Sequence, residues 1–298
     1  MGKSKVQYIK LPQLIKNELR KRITAAMLMV VLLIGMVLTS CGRSELEPRA
    51  EAQGLEGLDI EYSQNNLGSE AESLHQEAEV EYIIIDGQQY STSLLELNLS
   101  GLGLNYEDIV PLRYMSYLIR LELSYNQISD ITPLSELANL DWLDLSGNQI
   151  SDITPVSGLI NLHTLSLHGN QISELSPLSG LINLENLNLH NNLIEDVSPL
   201  SGLTVLSSLS LSNNRISDLS PLANNRLLAA LWIDNNQISD LLPFYGHPNL
   251  SGLWISDNQI NDLAPLAYLD NLAILVLERN PVTDWSPVEH LQGVIGRP

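Results

Sequence analysis

Several residue types are scarce in this sequence of 298 residues, which has one cysteine, one phenylalanine and, beyond residue 40, no lysine. A single cysteine excludes an intramolecular disulfide and a cysteine-based zinc cage. Without lysine, that part of the chain has neither a phosphate-binding P-loop lysine nor a Schiff base. Aromatic residues make up 5% and hydrophobic residues 44% of the chain. A core with this composition must consist mainly of leucine and isoleucine.

Positive charge is also scarce beyond residue 40. From Cys41 onward there are 8 arginines and 34 acidic residues, which give a formal charge of −26. This charge excludes a sequence-independent nucleic-acid binder, which needs cations against the phosphates. The motifs G-x-S-x-G, H-E-x-x-H and G-x-G-x-x-G and an alternating-Asp calcium loop are all absent. We therefore predict no enzymatic activity.

Residues 1–40 predict a lipoprotein signal peptide. Basic residues precede an apolar run over 23–38 of about 16 residues, which is shorter than the roughly 20 that a membrane-spanning helix needs. The run ends in Leu38-Thr39-Ser40-Cys41, which resembles the bacterial lipobox. The resemblance implies lipid attachment at Cys41 and anchoring on the extracytoplasmic face of the cell membrane. The alternative is an uncleaved anchor with an incidental cysteine.

The next two segments differ in composition. Residues 41–79 are acidic, rich in Glu, Gln, Ser and Gly, and without sustained apolar periodicity, so we predict a flexible tether. Residues 80–93 contain two β-prone runs on either side of Asp86-Gly87, a favoured hairpin turn. They predict a β-hairpin that caps the first strand of the following domain.

Residues 94–285 contain an internal repeat, because leucine returns every 22 residues from Leu118 to Leu272. The unit is L-x-x-L-x-L-x-x-N-x-I-x-D-I-x-P-L. An atypical 24-residue unit from Leu94 brings the number of repeats to nine. The L-x-L step predicts a short strand with its leucines inward, and the D-I-x-P step predicts a short 3₁₀ turn. Residues 286–298 are predicted to form a C-terminal cap.

Each regular unit also carries an asparagine just after its strand. An amide at this turn can satisfy buried backbone donors and acceptors, so we predict a structural ladder rather than a binding site. The ladder consists of Asn126, Asn148, Asn170, Asn192, Asn214, Asn236, Asn258 and Asn280.

These motifs resemble the leucine-rich repeat family, and the 22-residue form is similar to the internalin type of bacterial surface proteins. The resemblance implies an α/β solenoid: a curved, right-handed array with a parallel β-sheet on the concave face and short 3₁₀ turns on the convex face. It also implies a protein that presents its concave face to another macromolecule, without a cofactor. Together with the lipobox, it leads us to predict a bacterial cell-surface lipoprotein that binds another protein through the concave face. Two other functions stay open, a binder of carbohydrate or cell-wall glycan and a passive acidic spacer of the envelope.

Three of the four tryptophans occupy outward positions of the predicted strands. Trp232 and Trp254 fall in one column of adjacent repeats, about 4.8 Å apart, and predict an aromatic plate. Trp142 lies in the neighbouring column, and the small Gly252 is expected to leave the plate uncovered. Outward indoles are typical of contact surfaces, so we predict partner binding here. The alternative is that the two indoles only stabilise one another across the strands.

Charged and titratable residues border these tryptophans. Asp234, Asp257 and Glu278 lie near the plate and favour a basic protein partner. His168 and His190 are neighbours in the next column and complete the predicted partner-binding set. Two histidines at strand spacing could share a metal ion, but no third ligand accompanies them, so we predict no metal site.

Overall fold

The computed structural model of the protein describes residues 80–297. The predicted signal peptide 1–40, the lipid-attachment residue Cys41 and the predicted tether 41–79 lie outside the described residues. Over the described range, every helix is too short or too polar to cross a membrane.

The described part begins with an antiparallel hairpin. Strand β1 (Tyr82–Ile85) pairs with β2 (Gln88–Ser91), and both turn residues, Asp86 and Gly87, have positive φ. Such a turn matches the right-handed twist of the paired strands. Ile83 and Ile85 are buried and Ile84 is exposed. The hairpin therefore places one face of β1 on the core.

Ten short strands then form one parallel sheet in chain order. In nine of them the middle residue of three is a buried leucine, and the central leucines of neighbouring strands are paired. The strands are β3 (Glu96–Asn98), β4 (Arg120–Glu122), β5 (Trp142–Asp144), β6 (Thr164–Ser166), β7 (Asn186–Asn188), β8 (Ser208–Ser210), β9 (Ala230–Trp232), β10 (Gly252–Trp254), β11 (Ile274–Val276) and β12 (Val294–Ile295).

Short turns return the chain behind the sheet. The first coil has a four-residue helix, α1 (Tyr106–Ile109), with a capping box between Asn105 and Asp108. Each 3₁₀ turn has a proline in its first turn, where no backbone donor is lost. The 3₁₀ turns are Val110–Tyr114, Thr132–Leu134, Thr154–Gly158, Ser176–Leu178, Ser198–Leu200, Ser220–Asn224, Leu242–Phe244, Ala264–Leu266 and Ser286–Val288. The predicted α/β solenoid of parallel strands and 3₁₀ turns is thereby confirmed.

The segment predicted as a C-terminal cap contains the last 3₁₀ turn and a tenth strand of the sheet. The 3₁₀ turn Ser286–Val288 completes the ninth repeat, and the strand after it, β12, pairs with β11. Gly293 precedes this strand, and a Cβ there would overlap the carbonyl oxygen of Ala273. The tenth strand was not predicted because Val294 and Gly296 stand at positions where the other units have leucine.

The ladder asparagines tie each coil to the one before it. Asn148 shows the pattern: its Nδ2 donates to the carbonyls of Leu123 (3.0 Å) and Leu145 (2.9 Å), and its Oδ1 accepts from the backbone N–H of Ile128 (3.1 Å). Leu123 and Ile128 belong to the preceding coil. Removing the amide would leave buried backbone groups unpaired, at about 1–3 kcal/mol each.

Candidate functional site

The sheet has one face on the leucine core and one face that no other element of residues 80–297 covers. We call the latter the open sheet face; it consists of the first and third residues of strands β3 to β11. The three tryptophans predicted to point outward, Trp142, Trp232 and Trp254, all lie on it and are half-buried. Their position follows from the period-two alternation of a strand whose middle leucine is buried.

Trp232 and Trp254 form a stacked pair, which we call the indole plate. They are register partners on β9 and β10, with ring centroids 4.6 Å apart and planes 13° from parallel. Gly252 makes the stack possible, because a Cβ at this position would lie 2.6 Å from the Cζ3 of Trp254. The ring of Trp254 thus covers Gly252, whereas the sequence led us to expect an uncovered plate beside a small residue.

Trp142 is not part of the plate. It lies on β5, four strand spacings or about 19 Å from Trp232. The guanidinium of Arg120 lies 3.6 Å from its ring centroid and also contacts Glu122 at 2.9 Å. One face of this indole is therefore already occupied by a cation from the neighbouring strand.

The acidic border of the plate is partly neutralised. Arg279 contacts Asp257 through two guanidinium nitrogens and lies 3.4 Å from Glu278. Hydrogen bonding from Arg279 lowers the pKa of Asp257. Asp234 accepts from the Ser212 hydroxyl (3.1 Å) and the Ser256 N–H (3.0 Å). Each of the three carboxylates therefore already has partners within the protein.

The two predicted histidines lie close together beside the open sheet face. The ring centroids of His168 and His190 are 6.4 Å apart, and Asn213 Nδ2 is 3.3 Å from His190 Nδ1. Burial, with a smaller contribution from His168, lowers the pKa of His190. In the part of the chain that the structure describes, no group of three or more His, Cys, Asp or Glu is placed to hold a metal ion.

Tyr125 lies beside His168 and was not among the predicted site residues. It is 66% exposed, its ring crosses over Gly147, and its centroid is 6.2 Å from that of His168. Its φ of 57° lies in the left-handed region, where a bulky residue is uncommon. The next two repeats have Gly147 and Gly169 at the position that Tyr125 occupies in its own repeat. A tyrosine at this repeat position was the feature of the sequence that could have identified Tyr125 as a candidate site residue.

A shallow hollow of about 450 Å³ lies on the open sheet face between β6 and β9, with Trp232 at one edge. Sequence analysis did not single out this region because its side chains are small and neutral. Its polar lining residues are Thr164, Ser166, Asn186, Asn188, Ser208 and Ser210.

Comparisons with known proteins agree with this architecture. A protein-family model described as Leucine Rich repeats (2 copies) matches residues 118–159, 160–202 and 204–246. The crystal structure of an internalin C2 from Listeria monocytogenes is 36% identical, with a TM-score of 0.54, over 70% of this chain and 83% of that one. A search of curated proteins gives no match.

Two further structures extend the comparison. An internalin InlF from Listeria monocytogenes is 32% identical, with a TM-score of 0.65, over 70% of this chain; the match spans 63% of the InlF chain. The ectodomain of the Arabidopsis thaliana receptor kinase GASSHO1/SCHENGEN3, in complex with CASPARIAN STRIP INTEGRITY FACTOR 2, is 26% identical, with a TM-score of 0.56, over 63% of this chain and 24% of that one.

Fold and site together define a leucine-rich repeat protein with an open, tryptophan-bearing sheet. By sequence identity and by the extent of the match, the chain belongs to the internalin-like leucine-rich repeat proteins.

Proposed function

We propose that this protein is a bacterial surface lipoprotein that binds another protein through the open sheet face, with the indole plate as the centre of the contact. The observation that carries the proposal is the stacked, half-exposed pair of Trp232 and Trp254. Large aromatic anchors within a polar surround are typical of interface hot spots. The protein acts by binding, without catalysis or cofactor.

The relatives support a protein as the partner. The plant receptor ectodomain was solved in complex with CASPARIAN STRIP INTEGRITY FACTOR 2. In this chain, a formal charge of −26 beyond residue 40 favours a basic partner at long range, and an arginine or lysine can stack on the exposed indole. Because Arg279 already pairs Asp257, we expect stacking on the indoles to contribute more to affinity than salt bridges at the border.

Two variants of the full chain test the indole plate, and a third serves as their control. Trp254→Ala removes one ring. Gly252→Ala keeps the ring of Trp254, but the Cβ added at residue 252 displaces that ring. We expect both to weaken binding of a captured extracellular protein, Trp254→Ala by at least about 30-fold, the loss typical of a hot spot. Binding is measured by surface plasmon resonance, with circular dichroism as the check on folding.

Trp142→Ala is the matched control for this test. It removes an indole from the same face, but one already covered by Arg120 and distant from the plate. We expect it to change the affinity less than about fivefold. Full affinity in Trp254→Ala, or equal losses in Trp142→Ala and Trp254→Ala, would contradict a contact centred on the indole plate. Capture of no extracellular protein by the unaltered chain would favour the passive spacer.

A further inference from the structure

The hollow beside the indole plate has the chemistry of a sugar site. We infer that it binds a neutral oligosaccharide, with one sugar ring stacked on the free face of Trp232. This site goes beyond the protein contact proposed above, although the two share Trp232. The hollow has a volume of about 450 Å³ and is shallow, so a bound sugar would stay partly exposed to solvent.

One face of Trp232 is available to such a ligand. The other face stacks on Trp254, whereas the register partner on the hollow side is Ser210, which is too small to cover an indole. Trp232 therefore presents a flat apolar surface at the edge of the hollow. The apolar C–H face of a pyranose ring matches such a surface in shape and polarity.

The floor of the hollow offers hydrogen bonds without charge. Within the part of the chain that the structure describes, the hydroxyls of Ser208 and Ser210 and the Nδ2 of Asn188 make no hydrogen bond to protein. Hydroxyls both donate and accept, and an amide nitrogen donates twice, so the three groups can meet sugar hydroxyls or acetamido groups. The floor therefore complements a ligand with many neutral polar groups.

Other ligand classes fit the hollow less well. An anionic ligand would need a cation, and a basic peptide would need a carboxylate, but no charged side chain lines the hollow. The two leucines that line the hollow, Leu165 and Leu187, are buried, so an aliphatic peptide would find its main apolar contact at Trp232. The exposed polar side chains would then lose their hydrogen bonds to water. The hollow crosses four strands, or about 14 Å, which suits several linked sugar rings better than one.

The test uses the full chain in detergent and five neutral trisaccharides: maltotriose, cellotriose, mannotriose, galactotriose and triacetylchitotriose. Binding is followed by tryptophan fluorescence and by saturation-transfer NMR, with the anionic sialyllactose for comparison. We expect at least one neutral trisaccharide to bind and to change the indole emission. Failure of all five, or a preference for sialyllactose, would overturn the inference.

Two variants locate the bound sugar. Ser210→Leu fills the space beside the free face of Trp232 and should reduce trisaccharide affinity at least about tenfold. Asn188→Ala should reduce it about two- to tenfold, the range for one hydrogen bond. Its matched control is Asn98→Ala, because Asn98 Oδ1 accepts from the N–H two residues later, as Asn188 Oδ1 does, but lies outside the hollow.

The outcomes separate this inference from the proposed protein contact. Trisaccharide binding that survives both Ser210→Leu and Asn188→Ala would place the sugar elsewhere and overturn the inference. If no trisaccharide binds while Ser210→Leu abolishes binding of the protein partner, the hollow belongs to the protein interface and only the sugar site is wrong. If trisaccharides bind and Trp254→Ala leaves protein capture unchanged, only the protein contact is wrong.

Discussion

Two polar residues occupy core positions where the neighbouring coils have leucine. Asn225 is fully buried and His247 is 3% exposed. The imidazole Nε2 must donate to the Asn225 carbonyl oxygen (3.0 Å), and Nδ1 must accept from the Leu250 N–H (3.2 Å). Only the neutral ring satisfies both contacts. Burial is the main cause that lowers the pKa of His247.

This histidine predicts a loss of stability in mild acid. Because the folded pKa is lower than the unfolded one, the unfolded chain binds the proton first. The stabilisation is complete above the ordinary histidine pKa of about 6.5 and declines as the pH falls below it. We expect the melting temperature, followed by circular dichroism, to fall between pH 7.5 and pH 5.5.

His247→Leu restores the residue type found in neighbouring coils and should flatten this pH dependence. Part of the pH dependence of the melting temperature will persist, because the pKa of His190 is lowered as well. His290→Gln is the control, since that imidazole is exposed. A pH dependence of the same size in the His247→Leu variant would contradict the assignment.

At the scale of elements, the hairpin of β1 and β2 closes the first end of the solenoid. Ile83 and Ile85 join the hydrophobic core, and β1 packs against the 3₁₀ turn Val110–Tyr114. A terminal coil without such a cover would expose leucines that interior coils bury against their neighbours.

Substitutions in β1 test this capping role. Ile85→Ser places a hydroxyl in the core and should lower the free energy of unfolding by about 2–5 kcal/mol, as for other large-to-small core changes. Ile84→Ser is the matched control, because Ile84 is 58% exposed on the same strand, and it should change that free energy by less than about 0.5 kcal/mol. Urea denaturation measures both. Equal losses would show that the hairpin is not anchored through its inner face.

At the scale of the whole molecule, the proposed lipid on Cys41 and the acidic segment 41–79 precede the solenoid in the chain. Two or more acyl chains give stable membrane attachment where one is marginal. Like charges extend a tether, and anionic lipid repels an acidic domain. The proposal therefore predicts a protein that is held at the membrane while its acidic folded part is kept away from the anionic lipid surface.

Cys41→Ser should release the protein from the membrane fraction or block its processing, because serine offers no thiol for the lipid. Cell fractionation and immunoblotting measure both effects. Ser44→Ala, three residues further along, is the control and should leave attachment unchanged. A Cys41→Ser variant that is still processed and membrane-bound would favour the uncleaved anchor.

The sequence predicted the fold in detail because each unit repeats the same local physics: an inward L-x-L strand and a proline-started turn. It also predicted which tryptophans share a column, since register follows from a fixed period. It did not predict the hollow or the pairing of Asp257 with Arg279. Those features depend on side-chain directions across several coils, which a one-dimensional pattern does not contain.

The asparagine ladder has a consequence for how the gene can change. Each rung binds only its own coil and the preceding one, so deleting or duplicating 22 residues in frame leaves the remaining rungs paired. The protein can therefore gain or lose length in whole units over evolutionary time. Strains that differ by one unit before Trp232 would carry the tryptophan pair one strand nearer to, or farther from, the amino-terminal hairpin.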